Sequence, residues 1–238
     1  MRSARLVTTL VLTAHGSADP RSPATAHAVA EEIRRQRPGL DVRAAFCEQT
    51  SPNLRDVLAR SADAVVTPLL LASAYHARVD IPAMIADSNV RQADVLGEDE
   101  RLLTVMHQRL AEAGACVDDP ELGVLVVAVG SSWRAVNART AGVAPALAAE
   151  TRWADAVTAF ATGPRPSVKA AAQRLRRRGA TRIVIAPWFL AHGRITDRVA
   201  NFARANGIAM AEPLGAHPLV AETVLDRFDQ AVAVRAAA

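Results

Sequence analysis

An internal duplication constrains the fold of this 238-residue chain more than any other feature of its sequence. Residues of the same type recur at a fixed separation of 114 positions (130 − 16 = 114) in the pairs Gly16 and Gly130, Phe46 and Phe160, and Pro52 and Pro166. A repeat of this length means that each half is one structural unit and that both are built alike. We therefore predict two domains, residues 1–117 and 118–238, joined in the polar stretch 116–122.

Apolar runs alternate with helical patterns in both halves. The runs predict strands at 6–14, 41–47, 63–71 and 90–96, and again at 124–128, 156–160, 182–189 and 208–214. Helices are expected at 24–36, 52–60, 81–88 and 99–113, then at 135–150, 166–178, 197–205 and 219–233, with a loop at 72–80. Strands that alternate with helices form parallel sheets covered on both faces. The predicted fold class is α/β, with two tandem flavodoxin-like domains, each a four-stranded parallel sheet flanked by helices.

Composition and charge exclude several classes of protein. No apolar run reaches the roughly 18 residues of a membrane span. Two cysteines, Cys47 and Cys116, form neither a disulfide framework nor a close metal pair, so a reducing cytoplasmic location is expected. The formal charge is +4, but the arginines are dispersed among acids and aromatics make up only 4% of the residues, which argues against nucleic-acid binding. Guanidinium groups do suit a ligand rich in carboxylates, although compositional bias explains most of them equally well.

Three polar residues of the first half follow predicted strands. His15 ends the first, Glu48 follows the second, and His76 lies in the loop after the third. Because the carboxyl ends of parallel strands share one edge, these residues can converge in one cleft. Two imidazoles and a carboxylate suit Fe²⁺, Co²⁺ or Ni²⁺, and their spacing does not distinguish these metals. The alternative for each histidine is a capping or hydrogen-bonding role.

The second half lacks all three residues together. Val129 replaces His15, Thr162 replaces Glu48, and a shortened loop near Ile195 replaces the segment around His76. If the three residues served packing alone, a duplicate of the same fold would retain some of them. Their joint loss indicates one functional set, and it predicts that the second half is a structural and substrate-binding wall.

These motifs resemble the class II chelatases of the sirohydrochlorin chelatase family, the CbiX and SirB type, in its long duplicated form. The resemblance rests on three segments: His15-Gly16-Ser17, Phe46-Cys47-Glu48 followed by Pro52-Asn53-Leu54, and His76-Ala77-Arg78-Val79-Asp80-Ile81-Pro82. It implies insertion of Fe²⁺ or Co²⁺ into sirohydrochlorin, with His15 and His76 handling the metal and Glu48 assisting catalysis. It also implies a monomer, because the duplication supplies both domains of a pair. No cofactor beyond the substrate metal is expected, and the absence of a C-terminal cysteine cluster argues against an iron–sulfur cluster.

Other polar residues receive secondary roles. Ser17, Arg78, Arg194 and Arg198 are expected to bind the substrate, the arginines at the cleft mouth, although each arginine also fits a solvated surface charge. We interpret Cys47 as a buried thiol, His192 as a cleft-wall residue and His217 as a helix cap.

Three other functions compete with iron insertion. Cobalt insertion is the nearest alternative, and a metal or tetrapyrrole carrier is another, although the retained Glu48 favours catalysis. A histidine phosphatase requires an Arg-His-Gly run, and Ala14 stands at the position of that arginine.

Overall fold

The computed structural model describes residues 8–61 and 63–236, which form two parallel sheets of four strands each. The strand order is β2-β1-β3-β4 in the first sheet and β6-β5-β7-β8 in the second, with every pairing parallel. The first half contains β1 (Thr9–Ala14), α1 (Arg21–Gln36), β2 (Val42–Phe46), α2 (Leu54–Leu58), β3 (Ala64–Pro68), a π-helix (His76–Asp80), α3 (Ile81–Ile85), β4 (Arg91–Gln92) and α4 (Glu100–Glu112). The second contains β5 (Leu122–Ala128), α5 (Arg134–Ala141), α6 (Val143–Ala148), β6 (Asp155–Phe160), α7 (Val168–Arg177), β7 (Arg182–Pro187), α8 (Arg194–Ala205), β8 (Ala209–Met210) and α9 (Pro218–Ala236).

The central strands confirm the predicted α/β class. Leu10, Val11 and Leu12 of β1 are at most 1% exposed, and the whole of β5 is buried. A parallel strand with helices on both faces has no polar side, so its sequence is a continuous apolar run instead of an alternating one. This is why the central strands of each sheet, β1 and β3 in the first and β5 and β7 in the second, could be predicted from the sequence.

The edge strands β4 and β8 are much shorter than the predicted strands at 90–96 and 208–214. Beyond β4 the chain stays extended, but the amide of Leu96 donates to the carbonyl of Leu70, which lies past the end of β3. Leu214 donates in the same way to Phe189, past the end of β7. The amides of Ala93 and Ala211 still donate to Val66 in β3 and Ile185 in β7, but Leu96 and Leu214 are held by these loop contacts instead of a longer ladder.

The predicted helix 135–150 is two helices, α5 and α6, separated at Gly142. Pro145 lacks the amide hydrogen that would have bonded to the carbonyl of Ala141. That carbonyl instead accepts a 3.2 Å hydrogen bond from the hydroxyl of Thr158 in β6. The proline therefore accounts for the interruption.

Two predicted loop segments are helical. Residues 76–80, expected within the loop 72–80, form the π-helix that continues into α3. Helix α8 begins at Arg194 and not at Asp197, so Arg194 and Ile195 lie in its first turn. The hydroxyl of Thr196 accepts from the amide of Gly193 at 2.7 Å, which satisfies one donor at the start of the helix.

The compact units of the structure do not coincide with the two sequence repeats. One unit contains the described residues up to Gly97 together with those from Ala216 onward, and the other is Glu98–Gly215. Helix α4, from the first repeat, packs with α6 and β7 of the second, while α9 packs on α1 and β3 of the first. The repeat boundary near 117 therefore lies inside the second unit, and the last helix of each repeat belongs to the unit formed mainly by the other repeat.

Helix α9 is held in the first unit by both apolar and polar contacts. Val220, Ala221 and Val224 are fully buried. The guanidinium of Arg227 donates to the carbonyls of Val95 and Leu96 at 3.2 and 3.1 Å, and Arg37 pairs with Asp229 at 2.6 and 2.7 Å. Neither this 19-residue helix nor any other in the described residues combines the length and apolar character that would span a membrane.

Replacing Arg227 by alanine should destabilise the first unit by about 1.5–3 kcal/mol, because two carbonyls lose a charged donor that is only 17% exposed. Arg37→Ala provides the matched control, since its bidentate pair is on the surface and should contribute below about 1 kcal/mol. Tryptophan fluorescence would report on the second unit, which contains Trp133, Trp153 and Trp188. The stability of the first unit is therefore measured by amide hydrogen exchange of β1 and β3. Equal losses in the two variants would contradict this assignment.

Candidate active site

The first sheet brings the predicted site residues to its carboxyl edge. Residues His15 and Glu48 follow β1 and β2, and His76 begins the π-helix after β3. The amide of Glu48 donates to the carbonyl of His15 at 3.0 Å, so backbone pairing continues past the ends of both strands. This pairing places His15 beside Glu48.

The two imidazoles lie against each other at nearly a right angle. The ring centroids of His15 and His76 are 3.9 Å apart, and the rings are inclined by 86°. Nε2 of His15 is 3.2 Å from Oε1 of Glu48. The structure thus brings together all three residues that the repeat comparison singled out.

Hydrogen bonds at Nδ1 fix the same tautomer in both rings. Nδ1 of His15 is 2.9 Å from the carbonyl oxygen of Gly16, and Nδ1 of His76 is 2.5 Å from Oδ2 of Asp80. A carbonyl oxygen and an ionised carboxylate only accept hydrogen bonds, so each Nδ1 must donate. In each neutral ring the lone pair is therefore on Nε2.

The environment of the His15 Nε2 atom favours a cation. In the neutral ring this acceptor nitrogen faces a carboxylate oxygen, which also only accepts. A proton or a metal ion satisfies both atoms. Within the described residues no group of three or more His, Cys, Asp or Glu side chains is arranged to hold a metal ion. The side chains of His15, His76 and Glu48 are 34%, 38% and 54% exposed, so this cluster is open to solvent.

Gly16 allows the close approach of the two strand ends. Its φ is +94°, and a Cβ at this position would lie 1.8 Å from the carbonyl oxygen of Glu48. No other residue fits between the backbones of His15 and Glu48. The His-Gly pair of the sequence is therefore needed for the geometry of the cluster.

Cys47 packs with the apolar cluster around Val11, Ala45 and Leu54. Burial, together with the negative charges of Asp80 and Glu48, raises the pKa of its thiol to about 11. A thiol with this pKa is neutral near pH 7, whereas metals bind the thiolate. The position of Cys47 therefore agrees with a packing role.

The residues expected to bind the substrate lie in different parts of the chain. The amide of Ser17 donates to Oγ1 of Thr50, and its hydroxyl accepts from the amide of Asp19. Arg78 is exposed on the π-helix, where its Nε donates to Ser73 at 3.0 Å. Arg194 and Arg198 are exposed on α8 in the second unit.

The second sheet has different groups at the equivalent edge. Val129 stands in the place of His15 and is 42% exposed, and the hydroxyl of Thr162 donates to its carbonyl. His192 pairs with Glu212 at 2.7 Å from Nε2 to Oε2. His217 accepts from the amide of Leu219 through Nδ1, which is the helix-capping role predicted for it.

Asp80 and Tyr75 are parts of the cluster that the sequence did not assign. Asp80 follows His76 by four residues, a spacing that places two side chains on one helix face, but the expected loop concealed this signal. Tyr75 is 55% exposed, with its ring 6.2 Å from that of His76, and Val79 one turn later is also exposed. An apolar surface therefore adjoins the imidazole pair.

The comparisons with known proteins place this chain in a family. The CbiX family model matches residues 9–113 and again 123–231. A sirohydrochlorin cobaltochelatase of Priestia megaterium is 26% identical over 177 residues, which cover 68% of this chain and 58% of that protein. A sirohydrochlorin ferrochelatase of Bacillus subtilis is 24% identical over 180 residues, covering 71% and 68%.

Solved structures share the fold along nearly the whole chain. SirB from Bacillus subtilis with Fe³⁺ has a TM-score of 0.81 at 20% identity, covering 95% of this chain and 96% of that one. CbiX, described as the terminal enzyme for biosynthesis of siroheme in denitrifying bacteria, has a TM-score of 0.69 at 20% identity, covering 94% and 99%.

The fold and the site define a tandem α/β protein with one histidine–carboxylate cluster in its first unit. The chain belongs to the CbiX family, which it matches twice in tandem. This membership confirms the resemblance noted in the sequence. The match to the Priestia megaterium relative spans 58% of that protein.

Proposed function

We propose that this chain is a sirohydrochlorin chelatase that inserts a divalent metal ion, with Fe²⁺ favoured, in siroheme biosynthesis. The observation that carries the proposal is the perpendicular pair of imidazoles, His15 and His76, with Glu48 at the Nε2 atom of His15. The names of the relatives support the substrate. A cytoplasmic location, inferred from the sequence, belongs to the same proposal.

The chemistry of insertion matches this set of residues. The metal must lose water, reach one face of the macrocycle, and replace two pyrrolic protons. Neutral imidazoles bind first-row metals less tightly than several thiolates would, so the ion can be released to the macrocycle. We assign His15 and His76 to the metal, and Glu48 to the pyrrolic protons, because a carboxylate within reach can act as a general base.

Cobalt insertion, as in cobalamin biosynthesis, is the alternative that the names of the relatives support equally. Relatives named for each metal match this chain at 24–26% identity. Imidazole and carboxylate ligands suit both ions. A third possibility is a carrier that binds the metal or the tetrapyrrole without catalysing insertion. The presence of Glu48 argues against a carrier, because a carrier needs no proton acceptor.

Anaerobic incubation of the purified protein with sirohydrochlorin and Fe²⁺, Co²⁺ or Ni²⁺ tests the proposal through the absorption change of the macrocycle. We expect the protein to accelerate insertion, most with Fe²⁺. Faster insertion of Co²⁺ would favour the cobalt alternative. Equal rates with and without protein would leave only the carrier.

The substrate carboxylates are assigned to Ser17, Arg78, Arg194 and Arg198. Replacing Arg78, or Arg194 and Arg198 together, should raise KM for sirohydrochlorin roughly tenfold and lower kcat less, since a charge-assisted hydrogen bond contributes about 1.5–3 kcal/mol. Arg60→Ala is the control, because it removes an exposed arginine just before β3, at the opposite edge of the sheet. An equal rise of KM in the control would contradict these assignments.

We also propose that the chain acts as a monomer. The duplication provides within one polypeptide the pair of domains that a single-domain relative would have to assemble from two. Sedimentation at micromolar concentration should therefore give a mass near 25.2 kDa. A stable species of twice that mass would contradict the prediction.

A further inference from the structure

We propose that Asp80 is a positioning residue that holds His76 as the Nδ1–H tautomer and so presents its Nε2 lone pair to the incoming metal. The tautomer assignment stands on the geometry alone. The role of Asp80 in metal binding rests on the proposed function. It adds a residue to the set formed by His15, Glu48 and His76.

The contact between Asp80 and His76 is built into the π-helix. His76 is its first residue and Asp80 its last, and the amide of Ile81 donates to the carbonyl of His76 to close the wide turn. Ala77 directly follows His76, and Ile81 directly follows Asp80. Both are buried, and their packing fixes the backbone that carries the two polar side chains. π-turns are rare in proteins, and those that do occur are often found at functional sites.

The hydrogen bond orients the ring as well as its proton. Nδ1 lies 2.5 Å from Oδ2 of Asp80, and the ring stands at 86° to that of His15. A carboxylate that accepts from a metal-binding imidazole fixes the ring orientation and makes the other nitrogen a stronger ligand. Without Asp80, the ring can rotate and can place its proton on Nε2, which then cannot bind a metal.

The two imidazoles differ in the group that accepts the hydrogen bond from Nδ1. His15 donates to the carbonyl of Gly16, a neutral acceptor, whereas His76 donates to a charged carboxylate. In addition, Nε2 of His15 faces Glu48. We therefore infer that His76 is the stronger of the two metal ligands.

In the second copy of the repeat a glycine stands where the first copy has His76. Asp197 corresponds to Asp80, but four residues before it the chain has Gly193. The amide of Asp197 donates to the carbonyl of Gly193, within the first turn of α8. An ordinary helix start therefore accounts for the backbone of Asp197, whereas in the first copy Asp80 accepts from the imidazole of His76.

Three variants of the full chain test the proposal: Asp80→Ala, Asp80→Glu and, as a matched control, Glu212→Ala. Glu212 also accepts from a histidine, at 2.7 Å, but in the second unit. Long-range ¹H–¹⁵N spectra report the tautomer of His76, with His76→Gln identifying its signals. Calorimetric titration with Co²⁺ in the absence of the macrocycle reports metal affinity, and insertion kinetics give kcat and the KM values for metal and sirohydrochlorin.

We expect Nδ1–H at His76 in the wild-type protein and loss of this preference in Asp80→Ala. Co²⁺ affinity should fall 10- to 100-fold in that variant, the usual effect of removing a carboxylate behind a metal-binding histidine. KM for the metal should rise while KM for sirohydrochlorin stays unchanged. Asp80→Glu should restore most of the affinity, and Glu212→Ala should match the wild type.

An Nε2–H tautomer in the wild-type protein would overturn the proposal even if Asp80→Ala did not fold. Wild-type Co²⁺ affinity in a folded Asp80→Ala protein would also overturn it. If Asp80→Ala weakens Co²⁺ binding but the wild type inserts no metal, the role of Asp80 holds and the proposed function fails. If insertion proceeds equally in both proteins, the function holds and the role of Asp80 fails.

Discussion

Replacing His76 by alanine is expected to lower the rate of metal insertion on the order of 10²-fold or more, with the fold intact. His15→Ala should have a similar effect, because the two rings lie 3.9 Å apart and act on the same ion. Both side chains are about one-third exposed at the edge of the sheet, so their removal leaves no cavity in the core. The measurement is the insertion rate alongside the circular dichroism spectrum.

His192→Ala is the matched control for both variants. It removes a partly exposed imidazole that also bonds to a carboxylate, but from the second unit. We expect wild-type rates from this variant. A wild-type rate from His15→Ala or His76→Ala would remove that residue from the site, and a tight second metal site that includes His192 would contradict the single-site assignment.

Gly16→Ala is expected to cause a large loss of both stability and activity. The added Cβ would lie 1.8 Å from the carbonyl oxygen of Glu48, and φ at this position is +94°. The left-handed conformation costs about 1–2 kcal/mol for a residue with a side chain. Overpacking adds roughly 1–3 kcal/mol. Relief of the clash must separate the backbones of His15 and Glu48, so the cluster itself is displaced.

Gly39→Ala separates the two causes. Its φ is +91°, nearly that of Gly16, but a Cβ there meets no atom within 4 Å. This variant should lose only the conformational part, about 1–2 kcal/mol, and keep full activity. Denaturation followed by circular dichroism gives the stability of each variant, and the insertion assay gives the activity. Equal effects of the two substitutions would show that the contact with Glu48 is unimportant.

The sequence predicted the sheets and the three-residue cluster because both depend on patterns that persist along the chain. Buried parallel strands are apolar throughout, and the loss of His15, Glu48 and His76 counterparts from the second copy marked them as one set. The edge strands β4 and β8 were predicted too long, because residues buried by a loop and residues buried in a strand are equally apolar. Periodicity reports burial and not the hydrogen-bond partner.

The contribution of Asp80 was not predicted because it depends on the backbone between strand and helix. The segment 72–80 has too few apolar residues in register to indicate a helix, and a π-turn has no established sequence pattern. Its closure brings Asp80 to Nδ1 of His76. The orientation of an imidazole is likewise set by hydrogen bonds that a sequence does not record.

The exchange of α4 and α9 between the two repeats has a consequence for the order in which the compact units are completed during synthesis. The second unit, Glu98–Gly215, is continuous, so all of its parts have been synthesised once residue 215 is added. The first unit begins earlier, yet it lacks α9, with its buried Val220, Val224 and Phe228, until the second unit is complete. The unit that carries the histidine cluster is thus translated first and finished last, and a fragment ending at residue 117 would expose the apolar face of α1 and β3 that α9 covers.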